Sequence, residues 1–170
     1  MARRLALGAL LATMVAVAST ARAQEAEGGA RYGDTGTSEV SLLLGVSSGG
    51  FAVGAGFRYF VIDAIAPGVE AAFYRANGTS QGFTFASLRV VPLRFASVAL
   101  VATGRGGRVY LSNHSDGWAV GGDLGVIAFF SAHVGLEVGY EVLKLLPASF
   151  CADLTSCVLR QPVFGLRVTF

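Results

Sequence analysis

Apolar residues alternate with small or polar residues through most of the chain after residue 38. From His133 to Val142 the even-numbered positions hold Val, Leu, Val, Tyr and Val, whereas the odd-numbered positions hold His, Gly, Glu, Gly and Glu. Because successive side chains of a β-strand point to opposite faces, this period of two predicts a strand with one apolar and one polar face. The same alternation recurs over residues 40–47, 51–62 and 120–128. The pattern therefore predicts an all-β chain.

Turn-forming residues separate the alternating segments. Runs rich in Ser, Asn, Asp and Gly occupy residues 47–50, 77–82 and 112–117. The pattern predicts eight strands, near residues 39–47, 51–62, 68–76, 83–93, 97–110, 118–130, 133–143 and 161–170. Very short connections alternate with longer polar ones, and the last connection runs from Lys144 to Arg160. This asymmetry is typical of an up-and-down barrel with tight turns at one rim and loops at the other.

The first 23 residues have the pattern of a secretory signal peptide. Arg3 and Arg4 precede an uncharged apolar stretch, residues 5–18, and the small residues Ala21 and Ala23 stand at the −3 and −1 positions of a cleavage site. As a helix the apolar stretch would span only about 21 Å, which is short of the ~30 Å hydrocarbon core of a bilayer. We therefore expect cleavage after Ala23. Residues 24–38 are predicted to be a flexible lead-in, and residues 39–170 to form the barrel domain.

The composition of the polar faces indicates which side of the barrel meets water. The polar positions hold Gly, Ser and Ala with isolated charges of both signs, whereas the water-exposed face of a soluble barrel or sandwich should be rich in Lys, Glu, Thr and Gln. We interpret these charges as ion pairs that fill a narrow lumen, formed by Arg58, Glu70, Arg89, Arg105, Asp123, Glu137, Glu141 and Arg167. Large aromatic residues fall on the opposite face, mostly near strand ends, as in the interfacial girdles of membrane barrels: Phe57, Tyr59, Phe73, Trp118, Phe130 and Tyr140. The prediction is an eight-stranded antiparallel up-and-down transmembrane β-barrel.

One predicted strand breaks the alternation. Arg89 and Arg94 have opposite parity, so one of them must face outward unless a bulge intervenes. We place Arg89 inside because it is deeper in the strand, and Arg94 at the turn, where its side chain can reach the interface. Pro92 then falls near the strand end, where a missing backbone donor matters least.

Charge excludes one class of partner. Only 14% of the residues are charged, against about 25% in soluble domains. Arg3, Arg4 and Arg22 account for the positive net charge, since the remainder holds 10 basic and 11 acidic residues. Without a basic cluster, nucleic-acid binding has no electrostatic basis.

Two cysteines, Cys151 and Cys157, lie six positions apart in a polar segment. In an exported protein this spacing predicts a local disulfide. Its closed loop is short, so the expected stabilisation is only about 2 kcal/mol, and the bond would shape a loop rather than hold the fold together.

The chain ends on an aromatic residue, preceded by apolar residues at alternate positions: Phe164, Leu166, Val168 and Phe170. This resembles the terminal signature of Gram-negative outer-membrane β-barrels, which their insertion machinery reads. Together with the signal peptide and eight alternating segments, the chain resembles small OmpA/OmpX-like barrel-domain proteins over its mature length. The resemblance implies an outer-membrane location, assembly by the barrel-assembly machinery, contact with outer-membrane lipid, and a monomer. Because the sequence ends with the last predicted strand, we expect the periplasmic peptidoglycan-binding domain of full-length OmpA-type proteins to be absent.

Candidate catalytic and metal-binding residues are few. Lipid A deacylases use a His/Ser pair separated by one residue on a strand, whereas His114 and Ser115 are adjacent in a predicted turn with Asp116. His133 has no second histidine near it in sequence to form a metal site. Glu137 and Glu141 face predicted lumen arginines, which favours ion pairing over acid–base chemistry. We expect no catalytic residue, metal or cofactor.

Eight strands enclose an interior that side chains just fill, which disfavours a wide pore. The sequence therefore predicts a non-enzymatic outer-membrane protein with a structural or interaction role through its surface loops, whose ligand it does not identify. The alternatives are a small channel or apolar-ligand carrier and, less favoured, a lipid A-modifying enzyme.

Overall fold

The computed structural model describes residues 31–47, 50–76, 79–95, 97–111, 116–146 and 157–170, and these residues form one closed antiparallel barrel. Each strand pairs with the next along the chain, and the last pairs with the first. The strands are β1 (Ser38–Ser47), β2 (Gly50–Tyr59), β3 (Ile65–Ala76), β4 (Thr79–Phe95), β5 (Val98–Leu111), β6 (Gly117–Phe129), β7 (Val134–Leu146) and β8 (Val158–Thr169). The predicted fold class, an eight-stranded antiparallel β-barrel, is confirmed.

Several strands extend beyond the alternating segments that predicted them. The β4 strand begins at Thr79 rather than near residue 83, because Thr79 and Ser80 still pair with Ala76 and Arg75 of β3. The β8 strand likewise begins at Val158, which pairs with Lys144 of β7. Backbone pairing thus continues past the predicted strand boundaries.

A bulge in β4 explains the irregular parity of its two arginines. The pairing with β5 shifts register between Val90 and Leu93, so the strand carries extra residues there and its side-chain alternation resets. Arg89 is fully buried inside the barrel, and Arg94 lies at the rim with its side chain partly exposed. Pro92 lies within the bulge, three residues before the strand ends, where the ladder requires no N–H from it.

Exposed apolar side chains form most of the outer wall. All six aromatic residues predicted to face outward are exposed there, and Leu124 and Val69 of the same wall are among the most exposed side chains. A large apolar surface of this kind is unfavourable in water and is typical of a wall that contacts lipid.

The two ends of the barrel differ. We call the end that holds Ser38, the start of β1, and Thr169, the last residue of β8, the terminus end; residues 60–64, 96–97 and 130–133 connect strands there. We call the opposite end the loop end; its longest connection spans residues 147–157. Among the described residues, no helix is long and apolar enough to cross a membrane.

Candidate functional site

Side chains fill the lumen in successive layers from the terminus end to the loop end. The inward positions of β5 show the sequence of layers: Ala99 and Val101 are apolar, Thr103 and Arg105 are polar, and Val109 is apolar again. The apolar layer at the terminus end contains Tyr32, Phe60, Ala66, Val91, Ala99, Val101, Ile127 and Phe129. The one at the loop end contains Phe83, Phe85, Val109, Ala119, Leu143 and Leu145. Between them lies a charged layer, which is the candidate functional site.

Glu39 occupies the centre of the charged layer nearer the terminus end. Its carboxylate lies 2.5 Å from Nη1 of Arg58, 3.1 Å from Nη1 of Arg89 and 3.7 Å from Nη1 of Arg167. None of these four side chains is exposed to solvent. One carboxylate therefore lies within 4 Å of three guanidinium groups, which three other strands contribute.

Arg89 and Arg167 share a second carboxylate, that of Glu137. Nη1 of Arg89 lies 3.0 Å from Glu137 Oε2, and Arg167 donates to the same oxygen from Nε at 2.6 Å. Arg89 also donates from Nε to the Thr103 hydroxyl at 3.1 Å. With its nitrogens bonded on several sides, the Arg89 guanidinium is fixed across the lumen.

Arg105 organises the charged layer nearer the loop end. Its Nη1 lies 2.7 Å from Glu141 and 3.2 Å from Glu70, and its Nη2 bonds Asp123. Gln161 donates to the second oxygen of Glu141 at 2.7 Å. This cluster joins the first through Glu70, which also bonds Arg58, so the charged layer is one connected network.

The network is nearly balanced in charge. Its carboxylates belong to Glu39, Glu70, Asp123, Glu137 and Glu141, and its guanidinium groups to Arg58, Arg89, Arg105 and Arg167. Taking charges out of water is costly, so buried ions are retained only where partners satisfy them, and removing one partner typically costs about 3–5 kcal/mol. Every one of these carboxylates bonds a guanidinium group, which suits structural pairing better than proton transfer.

A small cavity lies beside the loop-end part of the network. Its volume is about 40 Å³, and Arg105, Glu141, Gln161 and Phe85 are among the residues that line it. Arg105 Nε and Gln161 Oε1 are buried without a hydrogen-bond partner among the described residues. Since one water needs roughly 10–15 Å³, the cavity has room for about three waters and none for a lipid chain.

Tyr32 closes the terminus end of the lumen. Its ring lies 5.3 Å from the ring of Phe60 and 4.9 Å from that of Phe129, and its hydroxyl donates to Glu39 at 2.5 Å and accepts from Arg89 at 3.2 Å. Burial raises the pKa of Tyr32 well above its ordinary range. The phenol therefore stays protonated and can donate to the Glu39 carboxylate.

The residues around Tyr32, which fall within the predicted lead-in over residues 24–38, form hydrogen bonds at the rim. Asp34 bonds Arg94 at 2.7 Å, and the Thr35 backbone N–H and hydroxyl donate to Asp63 at 2.9 and 2.7 Å. These two bonds lower the pKa of the Asp63 carboxyl. Gly33 adopts a φ of 87°, a left-handed conformation that favours glycine and turns the chain into the barrel mouth. We call residues 31–37 the rim segment; residues 24–30 lie outside the described part of the chain.

The predicted lumen residues lie together, and the network includes side chains that sequence reasoning missed. Arg58, Glu70, Arg89, Arg105, Asp123, Glu137, Glu141 and Arg167 are all buried inside the barrel. Glu39 was missed, although it shares the parity of the buried Ser41 and so carried a signal. Gln161 and Thr103 carried the same signal of parity. Tyr32 lies in a turn, where no alternation exists to reveal it.

The remaining candidates are distributed as follows. His114, Ser115 and Cys151 lie outside the described residues, so the 151–157 disulfide stays a prediction. Asp116 is exposed and lies 3.8 Å from Arg108, while His133 Nδ1 lies 3.0 Å from the carbonyl oxygen of Thr169. The part of the chain that the structure describes contains no group of three or more His, Cys, Asp or Glu side chains that could hold a metal ion.

The terminal strand closes the barrel against the first one. Phe170 exchanges backbone hydrogen bonds with Ser38, at 2.8 and 3.1 Å. The side chains of Phe164, Leu166 and Phe170 are exposed on the outer wall, and Val168 on the same face is partly buried. Their proposed role as an assembly signal stays a prediction.

Comparison with known proteins identifies the fold. No protein-family model and no curated protein matches the sequence. Among solved structures, the N-terminal β-barrel domain of OprF from Pseudomonas aeruginosa is similar, with 10% identity and a TM-score of 0.63 over 80% of this chain and 98% of that one. Neisserial surface protein A (NspA) has 18% identity and a TM-score of 0.55 over 79% of this chain and 95% of that one.

A third similar structure, from a study of the de novo design of transmembrane β-barrels, has 15% identity and a TM-score of 0.55 over 81% of this chain and 98% of that one. The chain thus shares the closed barrel architecture of these structures, which confirms the fold that the resemblance implied. At these identities the likeness concerns the fold alone.

Proposed function

We propose that this chain is a non-enzymatic β-barrel protein of a Gram-negative outer membrane, with a lumen closed to solutes, that acts through its surface loops. The observation that carries the proposal is the inversion of polarity: a buried charged network inside and exposed apolar side chains outside. A water-soluble barrel would place its charges outside, because burying them is costly. A barrel embedded in lipid instead places apolar side chains outside and charged side chains inside.

Export and assembly complete the proposal. A signal peptide over residues 1–23 would deliver the chain across the inner membrane. The terminal residues Phe164, Leu166, Val168 and Phe170 would then be read by the barrel-assembly machinery. The short connections and both termini would face the periplasm, and the loop end the exterior. The exposed aromatic residues Tyr59 and Trp118 would lie at the two interfaces.

The filled lumen argues against the alternative of a channel or ligand carrier. Arg58, Arg89 and Arg167 are fully buried across the middle of the barrel, and apolar layers cover the charged layer at both ends. An internal apolar ligand would need a cavity of roughly 300 Å³ or more. The cavity beside Arg105 and Glu141, with a volume of about 40 Å³, is far smaller.

Reconstitution tests the proposal. The purified protein is folded into phosphatidylcholine vesicles and run unboiled and boiled on a gel, and the same vesicles are fused with a planar bilayer for conductance measurements. We expect a heat-dependent mobility shift and no steady conductance. A protein that stays soluble without lipid would contradict the membrane assignment, and steady conductance would favour the channel. Unchanged lipid A masses in cells that express the protein would argue against the deacylase.

A further inference from the structure

Acidic and basic side chains of the strands are distributed differently between the two faces of the barrel. Within the described residues, every acidic side chain of a strand points into the lumen. Basic side chains lie on both faces, and four of them are exposed on the outer wall near the loop end: Arg75, Arg108, Lys144 and Arg160. We call these four the basic girdle. Within the described strands no acidic side chain faces outward beside it, and its described acidic neighbour is Asp116, which lies just before β6.

The girdle members lie at comparable distances from the loop end, on strands distributed around the barrel. Arg75 is the second-last residue of β3, Lys144 the third-last of β7, and Arg160 the third residue of β8. Arg108 on β5 pairs in register with Trp118 on β6. The girdle therefore forms an interrupted belt around one end of the wall rather than a single cluster.

Among the described residues, the terminus end has no comparable surplus of exposed basic side chains. There the exposed Arg94 is bonded to Asp34 at 2.7 Å and to the Tyr32 carbonyl oxygen at 3.1 Å. Its positive charge is therefore paired with a carboxylate of the rim segment. At the loop end, by contrast, the nearest oxygen of Asp116 lies 3.8 Å from Arg108, and both side chains are about half exposed. An exposed pair with this spacing contributes little and leaves the guanidinium accessible.

Aromatic residues mark the depth of the girdle. The Arg108 guanidinium carbon lies 5.2 Å from the centre of the Trp118 ring, which is within range of a cation–π contact. Tyr110 is exposed on the same outer face of β5. Trp and Tyr concentrate where hydrocarbon meets headgroups, so these neighbours place Arg108 at headgroup depth.

We infer that the basic girdle binds the phosphate-bearing headgroups of anionic lipids in the leaflet that surrounds the loop end. The inference rests on the proposed membrane location and names a partner for the outer wall. Guanidinium and ammonium groups are the side chains suited to phosphate, Arg through paired hydrogen bonds and Lys as a point charge. Long basic side chains at the ends of membrane strands can also extend to the headgroups while their stems stay on the apolar wall. A belt of four such residues selects lipids by headgroup charge.

The single tryptophan provides a built-in probe, since Trp118 contacts a girdle residue. The purified full-length protein is reconstituted into phosphatidylcholine nanodiscs with an increasing fraction of phosphatidic acid. Trp118 emission is followed, and native mass spectrometry counts the anionic lipids retained. The variants are Arg108→Gln, the fourfold Arg75→Gln, Arg108→Gln, Lys144→Gln and Arg160→Gln protein, and the matched control Arg94→Gln, which removes one charge at the opposite end.

We expect phosphatidic acid to be retained preferentially and to shift Trp118 emission. Each girdle substitution should weaken the preference about fivefold, as expected for one basic residue at an anionic surface. The Arg94→Gln control should keep the wild-type preference, and the fourfold variant should retain both lipids equally. Inorganic phosphate in phosphatidylcholine nanodiscs should leave the emission unchanged.

Two outcomes would overturn the inference: an undiminished preference in the fourfold variant, or an equal response to inorganic phosphate, which would indicate a site for free anions. Both differ from failure of the proposed function itself. In that case the wild-type protein would show no heat-dependent mobility in phosphatidylcholine, before any anionic lipid is added.

Discussion

The Tyr32 hydroxyl lies 2.5 Å from Oε2 of Glu39, and this hydrogen bond joins the rim segment to the charged network inside the barrel. Tyr32 precedes the first strand, and Glu39 is the second residue of that strand. Through Glu39 the contact reaches Arg58, Arg89 and Arg167. The segment before β1 therefore closes the terminus end of the lumen. The Tyr32 hydroxyl bonds the network, and the Tyr32 ring packs against Phe60 and Phe129.

Removing the hydroxyl should destabilise the barrel measurably. We expect Tyr32→Phe to lower the free energy of unfolding by about 1–3 kcal/mol, because a buried carboxylate loses a donor. Tyr32→Ala should cost about 3–5 kcal/mol, since it also leaves a cavity between Phe60 and Phe129. Urea titrations of the folded protein in lipid vesicles measure both values. Tyr59→Phe on the exposed outer wall is the control, and an equal loss from it would contradict the assigned role of Tyr32.

If lipid surrounds the outer wall, the free-energy cost of an arginine introduced there should depend on its depth along the strand. Val138 and Leu146 both face outward on β7, Val138 near the middle and Leu146 at the loop end. We expect Val138→Arg to cost about 2–4 kcal/mol and Leu146→Arg only about 0–1 kcal/mol, because the penalty for a charge falls from the bilayer midplane to the interface. Folding titrations into vesicles measure the difference. Equal costs at the two positions would argue against a membrane around this wall.

The bond between Thr35 and Asp63 should loosen in acid. Because the hydrogen bonds from Thr35 lower the pKa of Asp63, their stabilisation is present above the ordinary Asp value of 3.8 and is lost as the pH falls through the lower folded value. We expect the Thr35 amide proton, followed by NMR, to lose its downfield shift over that range. Asp63→Asn should abolish the pH dependence of this signal, and a titration that persists in the variant would assign it to another group.

Alternation along the strands predicted the fold and most of the lumen residues. The period of two marks each segment as a strand and also assigns each of its side chains to the lumen or to the outer wall. Arg58 and Glu70 were placed inside on parity alone, and they form an ion pair there. Glu39 was the first residue of the predicted strand, but the alternation was identified only from residue 40, so its parity was not used. A strand's first residues show too few alternations to be recognised.

Tyr32 and Arg94 show where sequence reasoning ends. Tyr32 reaches the lumen through turns before β1, and its partners Glu39 and Arg89 are 7 and 57 residues away in sequence. Arg94 was expected to extend to the interface, but it bonds Asp34 and the Tyr32 carbonyl oxygen instead. The contacts of Tyr32 and Arg94 depend on how residues 31–37 cross the barrel mouth. These residues have no periodic pattern from which their course could be predicted.

The last residue should matter for assembly more than for export. The backbone of Phe170 pairs with Ser38, whereas its side chain is 65% exposed and contributes little to the core. We expect Phe170→Ala to lower the amount of heat-modifiable barrel in the outer membrane, with the signal peptide still removed. Phe95→Ala, which truncates another highly exposed aromatic residue, is the control. Normal barrel levels in the Phe170 variant would contradict the proposed assembly signal.

The connection between β7 and β8 should be held by a bond between Cys151 and Cys157. The backbone of Cys157 is anchored at the loop end, where its carbonyl oxygen accepts from the Leu145 N–H at 2.8 Å, and its side chain lies against the apolar layer there. A partner six residues earlier would tie the connection back to this fixed point. We expect mass spectrometry without reductant to show the 151–157 disulfide in protein from the cell envelope.

The double variant Cys151→Ser with Cys157→Ser separates the effect on this connection from an effect on the barrel. The ladder of β7 with β8 runs from Val134 to Lys144 without either cysteine, so heat-modifiable mobility should be retained. Limited proteolysis should cut the connection much faster in the variant, because the unlinked chain has more conformations open to the protease. Free thiols in the native protein would disprove the bond. A variant barrel that failed to assemble would show that the bond supports the fold as well as the loop.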